Sequence, residues 1–142
     1  GDNVFPGYWN DPEATARALT PDGWLRTGDL AVVDGAGHLF LVDRAKELIL
    51  VSGFNVFPAE VEDVLGEHPG IVAVAVVGVP DSATGEAVKA WVVPAPGAVL
   101  DPDELREFCR RSLPRYKCPT VVSVVDALPL GLTGKVLRRA LH

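Results

Sequence analysis

The sequence is poor in the side chains that form disulfides and metal sites. It has two cysteines among 142 residues, and they match neither a CxxC pair nor any zinc-ligand spacing. We therefore predict that both are reduced thiols. The three histidines are scattered along the chain and form no ligand set, so no metal site is predicted. These residues are Cys109, Cys118, His38, His68 and His142.

Long apolar runs are also missing. The longest, "IVAVAVVGV" (residues 71–79), is far shorter than the roughly 20 apolar residues that a membrane-spanning helix needs. The first residues do not combine a positively charged stretch with an apolar one, so nothing predicts secretion, and we expect a cytoplasmic protein.

Acidic residues outnumber basic ones, and the formal net charge is −6. This balance argues against general nucleic-acid binding. The basic residues are concentrated at the end, where residues 106–142 carry eight Lys or Arg and only two acidic residues. Such a stretch could face a small polyanion, although ordinary solvated helix faces explain the same pattern.

Several catalytic signatures are absent from the sequence. It has no GxGxxG, GxSxG or HExxH pattern. The stretch "PLGLTGKV" is not a Walker A loop, because Pro129 and Val136 occupy the positions of the first glycine and of the Ser/Thr. The sequence therefore does not support a self-contained hydrolase, kinase or zinc enzyme.

What the sequence does contain is an alternation of helix and strand patterns. Helices are predicted at "NDPEATARAL", "PAEVEDVLGEH", "DELREFCRRSL" and "KVLRRALH", with Asp11 and Asp101 as caps before prolines. Strands are predicted at "LAVV" and "HLFLV" around a "DGAG" turn, and at "LILV", "IVAVAVVGV", "AVKAWVV" and "TVVSVVD". Since "IVAVAVVGV" is apolar on both faces, it is predicted to be a central strand.

From Arg44 onward the order is β, α, β, β, α, β, α, which predicts a small α+β domain with helices covering a short central sheet. Residues 1–43 are a β-hairpin-rich segment that would not bury a core alone. We therefore divide the chain into residues 1–43, the end of a larger unit, and residues 44–142, a small domain.

Three short stretches could carry chemistry, and each also has an ordinary structural explanation. Gly134–Lys135 precedes a predicted helix, so backbone amides and the ammonium group could bind an anion together, or Lys135 is simply solvated. Asp29 in "RTGDL" could accept hydrogen bonds from ribose hydroxyls or merely stabilise a turn. Gly53 in "VSGFN" fits a turn with positive φ or a close approach by another molecule.

Taken in order, these stretches resemble the C-terminal part of the adenylate-forming enzymes. The resemblance covers the full length and rests on "DGWLRTGDLA", "HLFLVDRAKELILVSGFNVFPAEVEDVL", "HPGIVAVAVVGVPDSATGEAVKAWVV", "LPRYKCP" and "LPLGLTGKVLRR". This superfamily comprises acyl-CoA synthetases, the adenylation domains of peptide synthetases, and luciferases. "DGWLRTGDLA" and "SGFNVFP" look most like long-chain and medium-chain fatty acid–CoA ligases.

The resemblance implies an ATP-dependent ligase that works in two steps. A carboxylic acid attacks the α-phosphate of Mg-ATP to give acyl-AMP and pyrophosphate, and the co-substrate CoA then converts acyl-AMP to the thioester. A large N-terminal domain would bind most of the ATP and magnesium, while residues 44–142 would be a mobile lid that rotates between the steps. Because that N-terminal domain is the implied partner, the isolated chain is expected to be inactive. Peripheral membrane association of the whole enzyme is a further expectation.

The resemblance also implies roles for individual residues. Asp29 and Arg44 would bind the nucleotide, and Lys46 would be the hinge between the lid and the larger domain. Gly53 would line the tunnel for the pantetheine thiol of CoA, where a side chain would block the way. Lys135 would enter the active site during adenylation and stabilise the negative charge that builds on the α-phosphate.

The sequence departs from its relatives where they bind the nucleotide end of CoA, so the CoA contacts of Tyr116 and Lys117 are a separate hypothesis and not an implication of the resemblance. Tyr116 and Lys117, within a basic stretch, would contact CoA, with Tyr116 stacking on adenine. Phe54 follows the "SG" turn, where some relatives have arginine. Leu130 and Gly131 stand where relatives often have a basic residue and Ser or Thr, which puts phosphate contacts from that loop in doubt.

Two alternatives stay open at the level of the sequence. Within the superfamily, the chain could belong to an aryl-CoA ligase or to a peptide-synthetase adenylation domain that loads a carrier protein. Outside catalysis, it could be a free-standing interaction domain that keeps the fold without the chemistry.

Overall fold

The computed structural model describes residues 2–141, which form three α-helices, seven β-strands and three short 3-10 turns. The helices are α1 (Pro12–Ala18), α2 (Pro58–Gly66) and α3 (Pro102–Arg110). The strands are β1 (Asp29–Val33), β2 (Leu39–Arg44), β3 (Ile49–Val51), β4 (Phe54–Val56), β5 (Ile71–Asp81), β6 (Gly85–Pro94) and β7 (Val121–Val124). The 3-10 turns are Ala45–Glu47, Arg115–Lys117 and Arg138–Ala140. The predicted α+β class is confirmed, and none of the helices within residues 2–141 is long and apolar enough to cross a membrane.

Each of these helices begins at a proline. Proline fits the first helical turn because its φ is already helical and its missing N–H would have no partner there. Asp11 and Asp101 precede two of the prolines, and their side chains accept hydrogen bonds from the N–H groups of Ala14 (2.8 Å) and Asp103 (2.9 Å). Both predicted helix caps are therefore confirmed.

The strands form two separate sheets. β1 and β2 make the predicted hairpin, in which Asp29 faces Arg44. In the five-stranded sheet, β5 and β6 pair antiparallel along most of their length. The other side of β6 pairs with β3 near one end and, in parallel, with β7 near the other. β4, which the sequence analysis did not predict as a strand, completes this sheet by pairing with β3.

The prediction that "IVAVAVVGV" is a central strand is wrong. This segment is β5, which lies at an edge of the five-stranded sheet, while β6 is central. Val76 on β5 belongs to the cluster beneath α2 and α3, whereas Ala75 and Val77 belong to a second cluster with Leu141. Because both faces of the sheet are covered, an edge strand here has the same apolar pattern as a central one.

Most of the core lies between the five-stranded sheet and helices α2 and α3. Its largest fully buried side chains include Ile49, Leu65 and Leu105, and burial of each stabilises the fold by roughly 1.5–3 kcal/mol. Cys109 and Cys118 lie in the same core as free thiols, as predicted. Burial raises the pKa of Cys109 to about 12, so this thiol stays protonated and unreactive near neutral pH.

The prediction of a closing helix over residues 135–142 is wrong for the residues that the structure describes, and His142 lies outside them. The chain instead turns back on itself, so that Leu130 and Val136 pair as an isolated antiparallel bridge. After this C-terminal hairpin, which comprises residues 129–137, only the 3-10 turn Arg138–Ala140 follows.

Tertiary contacts explain why this segment is not helical. Val136 and Leu141 pack against the second cluster on the five-stranded sheet. The indole Nε1 of Trp91, on β6, donates a hydrogen bond to the carbonyl oxygen of Leu141 (3.1 Å). A helix of two turns has little stability of its own, so packing decides the conformation of this segment.

The division of the chain into residues 1–43 and residues 44–142 stays a prediction. The core of the five-stranded sheet begins at Ile49, after the hairpin of β1 and β2 has ended. The two parts touch where the N–H of Ala59, in α2, donates to Oδ2 of Asp43, in β2 (3.1 Å).

Candidate functional site

The two residues predicted to bind the nucleotide, Asp29 and Arg44, lie side by side. Asp29 begins β1, Arg44 ends β2, and the strand register places them opposite each other. The Arg44 guanidinium is ion-paired with Oδ1 of Asp29 and also donates to the carbonyl oxygen of Thr27 (3.1 Å). The Asp29 side chain is 29% exposed, and this pair leaves its Oδ2 free to accept a hydrogen bond from a hydroxyl group.

The residue predicted as the hinge lies on a short, exposed turn. Lys46 is in the 3-10 turn Ala45–Glu47, which connects β2 to β3 and which we call the hinge turn. The N–H of Ala45 donates to the carbonyl oxygen of Gly28 (2.8 Å), so the start of the turn is held against the loop before β1. A cavity of about 220 Å³ beside the turn is lined by Thr27, Gly28, Arg44, Ala45 and Lys46.

Lys135 lies in the tight turn of the C-terminal hairpin. The N–H of Gly131 donates to the carbonyl oxygen of Lys135 (2.8 Å), and the N–H of Gly134 donates to the carbonyl oxygen of Gly131 (2.9 Å). Gly134 has a φ of +76°, which favours glycine. The alternative in which helix amides join Lys135 at an anion site is wrong, because residues 136–141 contain no α-helix.

The side chain of Lys135 is exposed to solvent. In the described part of the chain it takes part in no hydrogen bond or ion pair. Lys89, by contrast, places its ammonium 4.0 Å from the ring centre of Trp91. A lysine without a protein partner can approach a developing negative charge without first breaking a contact.

Gly53 is the second residue of a two-residue turn between β3 and β4. Val51 pairs with Phe54 across the turn, and Ser52 and Gly53 have φ values of +50° and +82°. Two positive φ values define a type I′ hairpin turn, in which glycine is favoured. A Cβ added at Gly53 would meet nothing within 4 Å, so the space beside the turn is open.

An apolar cavity of about 400 Å³ lies beside this turn. Its lining residues are Val51, Ser52, Thr84, Ala87, Val88, Arg115, Tyr116, Cys118 and Thr120. The ring of half-buried Tyr116 lies 4.9 Å from the ring of Phe54, with 32° between the planes. Phe54 is the more exposed of the two, so the pair forms one aromatic surface at the edge of the cavity.

Lys117, which is also predicted to contact CoA, forms an ion pair within the chain. Its Nζ donates to both carboxylate oxygens of Glu60 on α2, at 2.7 and 2.6 Å. Only 17% of the Lys117 side chain is exposed. An anionic ligand would therefore have to compete with Glu60 for this lysine, and the role of Lys117 in CoA binding stays a prediction.

Apart from Lys46 and Lys117, the predicted site residues occupy three places on the structure. Asp29 and Arg44 lie on the two-stranded sheet, and Gly53 and Tyr116 lie by the apolar cavity. Lys135 lies on the hairpin whose Val136 packs against the second cluster, on the sheet face opposite α2 and α3. Their individual roles stay predictions.

One group of interacting side chains was not predicted. Arg138 pairs with Glu47 and Glu62 and donates to the carbonyl oxygen of Val76. Its hydrogen bond to Glu62, together with the charges of the neighbouring acids, raises the pKa of Arg138. Glu62 and Val76 lie 76 and 62 residues away along the chain, so the sequence showed Arg138 only as part of a basic stretch.

The family model described as the AMP-binding enzyme C-terminal domain matches residues 60–135, just over half of the chain. The chain therefore belongs to this family. The resemblance to the C-terminal part of the adenylate-forming enzymes is confirmed.

Known proteins match along nearly the whole chain. It is 50% identical over 142 residues to a long-chain-fatty-acid–CoA ligase from Escherichia coli O6:H1, covering 100% of this chain and 25% of that protein. It is 50% identical over 138 residues to a feruloyl-CoA synthase from an Amycolatopsis species, covering 97% and 28%. The crystal structure of ATP-bound MatB from Rhodopseudomonas palustris matches with a TM-score of 0.93 and 40% identity, covering 99% and 28%. The chain thus spans about a quarter of the length of these relatives.

Proposed function

We propose that this chain is the C-terminal part of an ATP-dependent ligase that joins a fatty acid to CoA. The observation that carries the proposal is the 50% identity to a long-chain-fatty-acid–CoA ligase over all 142 residues. The whole enzyme would convert a fatty acid, ATP and CoA to acyl-CoA, AMP and pyrophosphate through acyl-AMP. The chain spans 25% of that relative's length, and we propose that the rest of the enzyme contains most of the acyl pocket.

In the first proposed step, Lys135 stabilises the negative charge on the α-phosphate. The incoming carboxylate and the phosphoryl oxygens are all anionic, so a well-placed cation lowers the barrier by roughly 3–4 kcal/mol. The exposure of Lys135 and its position on a tight hairpin support this role. Asp29 would accept hydrogen bonds from the ribose hydroxyls, with Arg44 holding its carboxylate in place.

In the second proposed step, the domain rotates about Lys46 and presents a different surface. The pantetheine chain of CoA would pass the turn at Gly53, where no side chain obstructs it. The open space beside this turn and the neighbouring apolar cavity support this assignment. The position of Lys46 on a short exposed turn between two sheets supports its role as the hinge.

The proposed partner of this chain is the N-terminal part of the same enzyme, which would bind most of the ATP together with magnesium. Residues 2–141 include no group of three His, Cys, Asp or Glu side chains that could hold a metal ion. From the class of enzyme alone, we further propose a cytoplasmic location with peripheral association to membranes.

The proposal predicts that the whole enzyme forms a CoA thioester from palmitate, ATP and CoA, whereas the isolated 142 residues do not. The isolated chain would supply Lys135 but not the rest of the ATP and acyl sites. Consumption of the CoA thiol and release of pyrophosphate measure the two steps. Thioester formation by the isolated chain, or no acid-dependent pyrophosphate release by the whole enzyme, would contradict the proposal.

An aryl-CoA ligase is the second candidate, because the feruloyl-CoA synthase matches this chain with the same 50% identity. The assay described above, run with ferulate beside palmitate, separates the two classes by kcat/KM. A clear preference for ferulate would transfer the assignment to the aryl acids and leave the two-step chemistry unchanged.

Replacing Tyr116 by alanine in the whole enzyme is expected to raise the KM for CoA and to spare acyl-AMP formation. The lost ring contact with adenine corresponds to roughly 0.5–1.5 kcal/mol, or about a two- to tenfold higher KM. CoA titration of thioester formation measures the first effect, and ATP–pyrophosphate exchange without CoA measures the second.

Tyr8 provides the matched control for this variant. It also packs against a phenylalanine, with 4.9 Å between the ring centres of Tyr8 and Phe5, but it is more exposed than Tyr116 and does not line the apolar cavity. Tyr8→Ala should leave the KM for CoA unchanged. An unchanged KM for CoA in Tyr116→Ala would rule out the stacking role.

A further inference from the structure

We propose that Arg138 is a positioning residue for Lys135, because it ties the C-terminal hairpin to the hinge turn that contains Lys46. The inference rests on the proposed function, in which Lys135 acts in adenylation and Lys46 is the hinge. Arg138 follows Lys135 by three residues, directly after the hairpin ends.

The Arg138 guanidinium contacts three other elements of the fold. Its Nε pairs with Oε2 of Glu47 in the hinge turn (2.9 Å). Its Nη1 and Nη2 pair with the two carboxylate oxygens of Glu62 on α2, with 2.9 Å between Nη2 and Oε2. Nη1 also donates to the carbonyl oxygen of Val76 on β5 (2.7 Å). One side chain thus joins the hairpin segment to the hinge turn, a helix and an edge strand.

These contacts are largely shielded from solvent. The exposed fractions of the Arg138, Glu62 and Glu47 side chains are 24%, 17% and 27%. Glu62 also accepts a hydrogen bond from the N–H of Val76 (2.7 Å). Together, Arg138 and Glu62 therefore bond to both the carbonyl oxygen and the N–H of this residue on the edge strand. The planar guanidinium offers five donors in fixed directions, and a lysine ammonium cannot reproduce that geometry.

The hairpin is held in shape and held in place by different contacts. Its own shape depends on the Leu130–Val136 bridge and on the hydrogen bond from the N–H of Leu137 to the carbonyl oxygen of Pro129 (2.8 Å). The ion pair with Glu47 instead connects this segment to the hinge turn. Loosening that ion pair would leave a folded hairpin whose orientation relative to the hinge is less well defined.

Only one of the two proposed steps depends on this orientation. In adenylation, Lys135 must reach the α-phosphate, and a displacement of about 1 Å can lower a rate by about 10²-fold. In thioester formation, the surface around Gly53 is used and Lys135 has no part. A purely structural role of Arg138 would lower both rates together, whereas a positioning role lowers the first.

The test uses Arg138→Lys and Glu47→Gln in the whole enzyme. We expect the kcat of acyl-AMP formation, measured by ATP–pyrophosphate exchange without CoA, to fall by about 10- to 100-fold, with the KM for ATP little changed. Thioester formation from supplied acyl-AMP and CoA should stay near the wild-type rate. Arg139→Ala is the matched control, since it removes an exposed neighbouring arginine outside this cluster, and it should keep both rates.

Equal losses in both half-reactions, or an unchanged kcat of acyl-AMP formation in Glu47→Gln, would overturn the inference. Glu47→Gln keeps the pair between Arg138 and Glu62. It therefore tests the ion pair between Arg138 and the hinge turn even if Arg138→Lys does not fold. Lys135→Ala distinguishes a failure of the proposed function of Lys135 from a failure of the positioning role of Arg138. If Lys135→Ala keeps acyl-AMP formation, the proposed function of Lys135 is wrong; if it alone loses acyl-AMP formation, only the positioning role is wrong.

Discussion

The Lys135→Ala variant of the whole enzyme is expected to lose acyl-AMP formation by about 10²- to 10³-fold, mainly in kcat. A loss of this size follows when one group that stabilises a developing anion is removed. The hairpin should survive, because the Lys135 side chain is exposed and its backbone carbonyl still accepts the hydrogen bond from Gly131 (2.8 Å). ATP–pyrophosphate exchange without CoA measures this step directly.

The same variant should still convert supplied acyl-AMP and CoA to the thioester. Arg139→Ala, which removes another positive charge from the same end of the chain, should keep both half-reactions. Acyl-AMP formation at the wild-type rate in Lys135→Ala would show that Lys135 is not the adenylation lysine. A loss of both half-reactions would show that its role is structural.

The Gly53→Leu variant is expected to show the opposite pattern, with acyl-AMP formation retained and thioester formation lowered by about 10²-fold or more. A Cβ at Gly53 meets no atom within 4 Å, so the leucine side chain would extend into the open space beside the turn. That is where the pantetheine chain is proposed to pass, and a branched side chain would displace it. Thioester formation from supplied acyl-AMP measures the effect.

Leucine at a positive φ also strains the backbone, by roughly 1–2 kcal/mol, so strain must be separated from obstruction. Gly37, in the turn between β1 and β2, is the matched control. Its φ is +86° and a Cβ there also meets nothing within 4 Å, compared with a φ of +82° at Gly53. Gly37→Leu should lower the melting temperature to a similar extent with both half-reactions intact. Equal losses of thioester formation in the two variants would mean that strain causes the effect.

The helix starts and the first hairpin could be predicted because their causes are local. An aspartate followed by proline favours the start of a helix whatever packs against it, as Asp11 and Asp101 demonstrate. The alternating residues on either side of "DGAG" likewise specify the hairpin of β1 and β2. That hairpin brings Asp29 and Arg44 together, although both were predicted to bind the nucleotide and not to pair with each other.

The partners of the charged side chains could not be predicted in the same way. Lys117 and its partner Glu60 are separated by 57 residues, and no local pattern indicates which acid a given lysine will contact. Lys117 was therefore predicted to contact CoA, whereas in the structure it is paired with Glu60. The contacts of Arg138 with Glu47 and Glu62 could not be predicted for the same reason.

By itself, the sequence determined the α+β class, the family, the starts of the three observed helices and the turns, since these depend on neighbouring residues or on motifs of several residues. Only the tertiary structure decided that β6 is the central strand, that the chain after Lys135 is not helical, and that Arg138 reaches the hinge turn. The physical reason is the same in each case. Packing of both sheet faces, and contacts between residues far apart in the chain, outweigh the weak preferences of short segments.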